Sequence, residues 1–333
     1  MPILLENLVN ALPKDTEEKV SSAKDRLRQR IRDILAEETR LFLQRKSRGP
    51  RGRTVPINVH VAVQAGLPEV LQPADKQSIE ERHQISIMLA PFRQTLAALH
   101  ESGQHTVEQL IPRLQQEPIA AGLLDGRERA VDIAREYANF LLTQLRQFEL
   151  TRFILRVDQD VLGVYFDRSQ NLFDDPEPCI ELYWGVIGLV ARDLGVEVSD
   201  LTYVVLAHEF GHAFTNAGID AAGQWWKTTN FKRSDHELKE GLAQFYTELV
   251  CQRIEDIAPG ALKAYRALLP YQPAAYQAHT RWTEFTTEHV RSAMLEARLF
   301  EPGAGVQEFE DCLCMEKRRL SANAEEGARA ETE

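Results

Sequence analysis

The sequence lacks any apolar run close to the roughly 18 residues that a membrane-spanning helix needs, so no membrane partner is expected. Cysteine is scarce, four in 333 residues, too few for a disulfide framework to carry the fold. Cys179 and Cys251 lie in apolar surroundings and read as buried thiols. Cys312 and Cys314 form a lone C-x-C, weak grounds for metal or redox chemistry. The opening stretch MPILLENLVNALPKD has neither a basic leader nor a small-residue cleavage site, so secretion is not indicated and a cytoplasmic location is expected. Excess positive charge is also missing. The formal net charge of −11 argues against general affinity for nucleic acid, because phosphate contacts need clustered Lys and Arg. The exception is the basic segment 44–53, QRKSRGPRGR. Without interleaved aromatics it reads first as a solvated linker and only second as a nucleic-acid contact.

Hydrophobic content of 44% and charged content of 27% are those of a soluble globular chain. The spacing of Val20, Ala23, Leu27, Ile31, Ile34 and Phe42 predicts a helix over 16–44. TVPINVHVAV alternates as a strand over 54–63, with Pro56 favouring an edge. Helices are expected over 76–116 and from 125 to 148. The period then changes: TRFILRV and VLGVYF read as two strands joined at 158–160, and CIELYW as a third. A short helix over 186–194 precedes one that carries VVLAHEFGHAF, capped by Ser199 or Asp200 and ending near Gly218. Ser234 or Asp235 caps the next helix, and more helix follows Pro259 and Pro273.

These elements predict an α+β fold, mostly helical, with a small mixed sheet against the helix of the VVLAHEFGHAF stretch. The expected division is a helical N-terminal region over 1–120, a second domain over 121–310, and a disordered acidic tail over 320–333.

Within VVLAHEFGHAF, His208 and His212 are one helical turn apart and project from one face, so both imidazoles can reach one ion. Zinc takes neutral nitrogen ligands about 2 Å away and, in catalytic sites, leaves one position to water. Glu209 stands beside the first ligand, angled to take a proton from that water. This is the H-E-x-x-H pattern, and the competing reading is an ordinary helix that carries two of nine histidines.

A third ligand must come from elsewhere. The extended pattern with Gly and His after the second ligand is absent, since Thr215 and Gly218 occupy those positions. Asp220 is near but off the helical face of the histidines. The helix after Asp235 offers His236, Glu237 and Glu240 within one and a half turns, where an acidic first turn is also what the helix dipole favours. Glu240 is the less easily explained of the two glutamates, because apolar GLAQFY follows it.

AHEFGHAF followed by EGLAQFY resembles the gluzincin branch of the zincin metallopeptidases, over roughly 125–253. The resemblance implies one zinc ion held by His208, His212 and Glu240, with Glu209 as general base. The spacing of Glu240, Ala243 and Gln244 is also similar to ImmA/IrrE-type regulatory proteases, which implies that Gln244 accepts the free N–H of a ligand histidine. Zincins bind the substrate backbone by adding it to a strand, a role the resemblance gives to Ile180, Glu181, Leu182 and Tyr183. A Tyr, His or Arg near the metal stabilises the oxyanion, and the candidates are His236, Tyr246, Tyr271, Tyr276 and His279. The first 120 residues match none of this and have no evident helix-turn-helix.

The expected function is therefore zinc-dependent hydrolysis of peptide bonds, with a protein or peptide substrate and a regulatory protein partner on the N-terminal helical region. Two alternatives stand beside it: a zinc amidohydrolase acting on a small substrate, and a zincin-fold scaffold or sensor without activity. Trp225 and Trp226, between the two helices, either line a cleft or cover it.

Overall fold

The computed structural model describes residues 4–46, 54–68, 71, 150–155, 161–167, 177–226 and 228–330. The helices expected over 76–116 and 125–148, and most of the basic segment, lie outside these residues. The chain divides into two compact units, one of residues 1–11 and 69–154, the other of 12–68 and 155–333. The first contains helix α1, Leu4–Asn10. Helix α3, Leu150–Leu155, ends at the boundary. TRFILRV was expected as a strand; its first residues instead form this helix.

All the candidate ligands fall in the second unit. Its first helix is α2, Thr16–Thr39, whose inner stripe of Val20, Ala23, Leu27, Ile31, Ile34 and Leu35 is buried. It ends five residues earlier than its apolar spacing predicts. Arg40 turns left-handed, with φ 48°, and closes the helix. Thr39 helps the exit, its hydroxyl donating to the Leu35 carbonyl and accepting from the Leu41 amide. Phe42, expected on the inner stripe, is 38% exposed. The chain then forms β1, Leu41–Phe42, and β2, Gln44–Lys46. The single strand expected over 54–63 is two: β3, Thr54–Pro56, in a hairpin with β2, and β4, His60–Gln64.

β4 runs parallel to β6, Cys179–Tyr183, and β5, Gly163–Phe166, lies antiparallel on β6's other side. The order is therefore β4-β6-β5. Helix α4, Trp184–Leu194, follows β6 directly and ends on Gly195. Helix α5, Val198–Thr215, carries both histidines and is buried on every side from Leu201 onward. A helix apolar around its circumference belongs at a core's centre, and α5 packs against α2, α4 and the sheet. Its N-cap position is Glu197, with no side-chain cap from Ser199 or Asp200. β7, Ile219–Asp220, returns to pair with β1.

After α6, Thr229–Lys232, comes α7, His236–Arg253, which begins at the expected Asp235. Helices α8, Pro259–Leu268, α9, Ala274–Gln277, α10, Thr287–Ala297, and α11, Val306–Ala330, complete the unit, with short 3-10 turns at Leu269–Tyr271 and Ala278–Trp282. The tail expected to be disordered is helical to Ala330. No described helix is long and apolar enough to cross a membrane.

The division expected at residue 120 does not match the two units. The inner stripe of α2 is covered by α5, and β4 takes its hydrogen bonds from β6, so residues 12–68 fold with the C-terminal part. Mostly helical with small sheets, the fold is of the α+β class predicted.

Candidate metal centre

Two helices build the site. α5 presents His208 and His212 one turn apart, and α7 presents Glu240 opposite them. The helices can approach this closely because Gly211 meets Ala243: a Cβ on Gly211 would lie 3.2 Å from the Ala243 Cα and carbonyl oxygen. The Gly in AHEFGHAF and the Ala in EGLAQFY are thus the two faces of one contact.

The Nε2 atoms of His208 and His212 are 3.1 Å apart, and Glu240 Oε2 is 3.2 Å from each. The His208 and His212 rings meet edge to face. All three side chains are about nine-tenths buried. With both Nε2 atoms unprotonated, these are three acceptor atoms facing one another, an arrangement that a cation among them would satisfy. The edge of a tetrahedron around an ion with ligands near 2.0 Å is about 3.3 Å, so the triangle fits a single metal ion. Burial pushes the Glu240 carboxyl up, but His212 and His208 outweigh it and hold it well below the usual carboxylate range. The ligand atom is therefore ionised. Among the described residues, His208, His212 and Glu240 form a group that could hold a metal ion.

The other candidate ligands point elsewhere. Glu237 accepts from Arg281 at 2.7 Å. Asp220 accepts from the amides of Ala222 and Gln224 and from the Trp226 indole. Trp225 and Trp226 accordingly fold over Gly218, rather than into the cleft. Cys179 and Cys251 are buried thiols, as expected, and Cys314 is exposed.

Glu209, 1% exposed, lies with His208 in a cleft walled by Val161, Gly163, Val204, Leu268 and Tyr276. The cleft has about 30 Å³ of space for the centres of water-sized spheres, enough for a water molecule. Gly163 brings β5 down onto Glu209, since a Cβ there would lie 3.1 Å from Glu209 Cγ and 2.8 Å from Val205 Cγ1. Sequence spacing alone did not single out this glycine. Its only signal was a Gly inside the strand pattern VLGVYF, which marks a close approach.

The candidates for stabilising developing negative charge separate into two groups. Tyr276 stacks on His208, with centroids 5.5 Å apart and 20° between planes. His236 stands edge-on to Tyr276, its Nδ1 3.4 Å from Glu240 Oε1. These two border the cluster. Tyr246 is fully buried in the core, where burial pushes its hydroxyl pKa up. His279 is 1% exposed and spends both ring nitrogens on Tyr265 and the Tyr276 backbone. Both lie outside the group formed by His208, His212 and Glu240. Tyr271 sits in a 3-10 turn outside the cleft lining.

Gln244 does line the cleft, but its amide donates to Gln272 Oε1 at 3.1 Å instead of accepting from a ligand histidine. The strand expected to take up substrate is also corrected. β6 is central, with β4 on one edge and β5 on the other, so Ile180, Glu181, Leu182 and Tyr183 have no edge to offer. The edge next to Glu209 is β5.

Comparison with protein-family models, with curated proteins and with solved structures finds no match.

Proposed function

We propose that this chain is a zinc-dependent metallopeptidase, with His208, His212 and Glu240 as ligands and Glu209 as general base. The observation that carries this reading is the position of Glu240 Oε2, 3.2 Å from both histidine nitrogens, with a buried carboxylate next along α5 in a cleft roomy enough for water. A zinc ion bound there supplies a Lewis acid that makes water nucleophilic near neutral pH.

The chain's own residues do the rest. Glu209, on the cleft wall, takes the proton from the attacking water and passes it to the leaving amine. Tyr276, on the cleft wall, and His236, beside Glu240, are the donors assigned to the carbonyl oxygen as charge develops on it. Among the described residues β5 pairs with β6 alone, and an extended substrate added to its other edge would run close to Glu209, beside Gly163.

The test is metal content joined to turnover. Purified full-length chain should contain one zinc per molecule by elemental analysis and cleave members of a quenched fluorescent peptide library. Chelation should stop cleavage, and zinc should restore it. A chain that binds zinc but cuts no peptide in the library would sink the reading.

A further inference from the structure

His279 is excluded from the metal cluster, yet it is among the most constrained polar side chains of the second unit. Its ring is 1% exposed. Nδ1 lies 3.0 Å from the Tyr276 carbonyl oxygen, and Nε2 lies 2.6 Å from the Tyr265 hydroxyl. A carbonyl can only accept, so Nδ1 carries a proton and donates it. Burial pulls the His279 pKa down to about 4, which leaves the ring neutral and Nε2 a bare acceptor. The Tyr265 hydroxyl, whose pKa burial pushes up, is then the donor to Nε2. Glu248 stands 3.8 Å from Nε2, beyond hydrogen-bond reach.

The chain of donors runs in one direction, from Tyr265 through His279 to the Tyr276 backbone. Tyr276 is the residue whose ring stacks on His208 and meets His236 edge-on. Together with Gln272 and Pro273 it forms one wall of the cleft. Segment 274–282 is made of one short helix and one 3-10 turn, which supply little rigidity of their own. His279 ties it to α8 through the Tyr265 hydroxyl.

We propose that His279, donating from Nδ1 to the Tyr276 carbonyl and accepting at Nε2 from Tyr265, is a positioning residue that holds the Tyr276 ring against His208. It touches neither substrate nor metal; it fixes the wall that does. The proposal rests on the metal-site reading only for its functional consequence, because the arrangement itself can be read without metal or substrate.

The experiment is NMR on the full chain, metal-free, with isotope-labelled histidine. In the parent, His279 nitrogen shifts should be those of a neutral Nδ1–H ring, and the His208 ring protons should be displaced upfield by the Tyr276 ring. Tyr276→Leu defines the signal without that ring. His279→Leu should lose the displacement to the same value. His279→Asn, whose amide can donate in place of Nδ1, should keep it. Tyr265→Phe removes one hydroxyl from a packed ring, so it serves if His279→Leu does not fold. It removes the donor to Nε2, and with it the tie to α8, and should also reduce the displacement. An Nε2–H ring for His279 in the parent would overturn the proposal. So would His208 protons that stay in place in both Tyr265→Phe and His279→Leu, or that move equally in His279→Asn and His279→Leu. Failure to cleave peptides would remove the peptidase reading and leave these outcomes as they are.

Discussion

Gly211 on the ligand helix and Ala243 on the glutamate helix touch backbone to backbone, with only 3.2 Å left for a Cβ on Gly211. This contact sets the distance from the two histidines to Glu240. A larger side chain at Gly211 must push α7 away from α5. Gly211→Val is expected to cost about 1–3 kcal/mol through overpacking and to weaken zinc binding about 10-fold or more, as lost support for a ligand typically does. Denaturant unfolding and a competitive chelator titration read the two effects. Zinc affinity equal to the parent's would mean the spacing is set elsewhere.

The third ligand is tested by comparing two glutamates on one helix. Glu240→Ala should lower zinc affinity by more than the roughly 10–100-fold typical of residues that only support a ligand. Glu237→Ala removes an exposed pair with Arg281, and should change zinc affinity little. Elemental analysis after dialysis against a weak chelator separates them, and equal retention in both variants would count against Glu240.

Acid should weaken the fold through His279. Its ordinary pKa is 6.5, and burial lowers it to about 4 in the folded chain. Between those values the unfolded chain binds a proton that the folded chain refuses. The stabilising contribution is therefore complete above pH 6.5 and is lost as pH falls towards about 4, up to roughly 3 kcal/mol. His279→Asn cannot titrate, so its unfolding free energy should fall less than the parent's between about pH 7 and pH 4.5. Parallel urea curves at the two pH values measure the difference, and identical slopes would show that His279 is not held neutral.

Much of the ligand set was legible because helical phase is a strong constraint. His208, Glu209 and His212 follow from a four-residue spacing, and Glu240 from a charged residue placed against an apolar run. What escaped depends on contacts far apart in sequence. β6 was given the substrate edge by the zincin resemblance, but nothing local says that β4, more than a hundred residues earlier, pairs with it. α2 was assigned to a separate region for the same reason, since its partner α5 lies in the other half of the chain. Tyr246 and His279 carried the right functional groups, and only tertiary burial reveals that one is core and the other a brace behind Tyr276. TRFILRV has the apolar content of a strand and no strong helix signal, and tertiary context turned its start into α3.

The most direct measurement is Glu209→Gln, assayed for zinc content and peptide cleavage together. Glu209 is not among the three atoms around the metal position, so the variant should retain one zinc per chain. Loss of the base should lower turnover by about 10²–10⁴-fold. A variant that holds its zinc and cleaves as fast as the parent would contradict the assignment of Glu209, and with it the catalytic reading of the site.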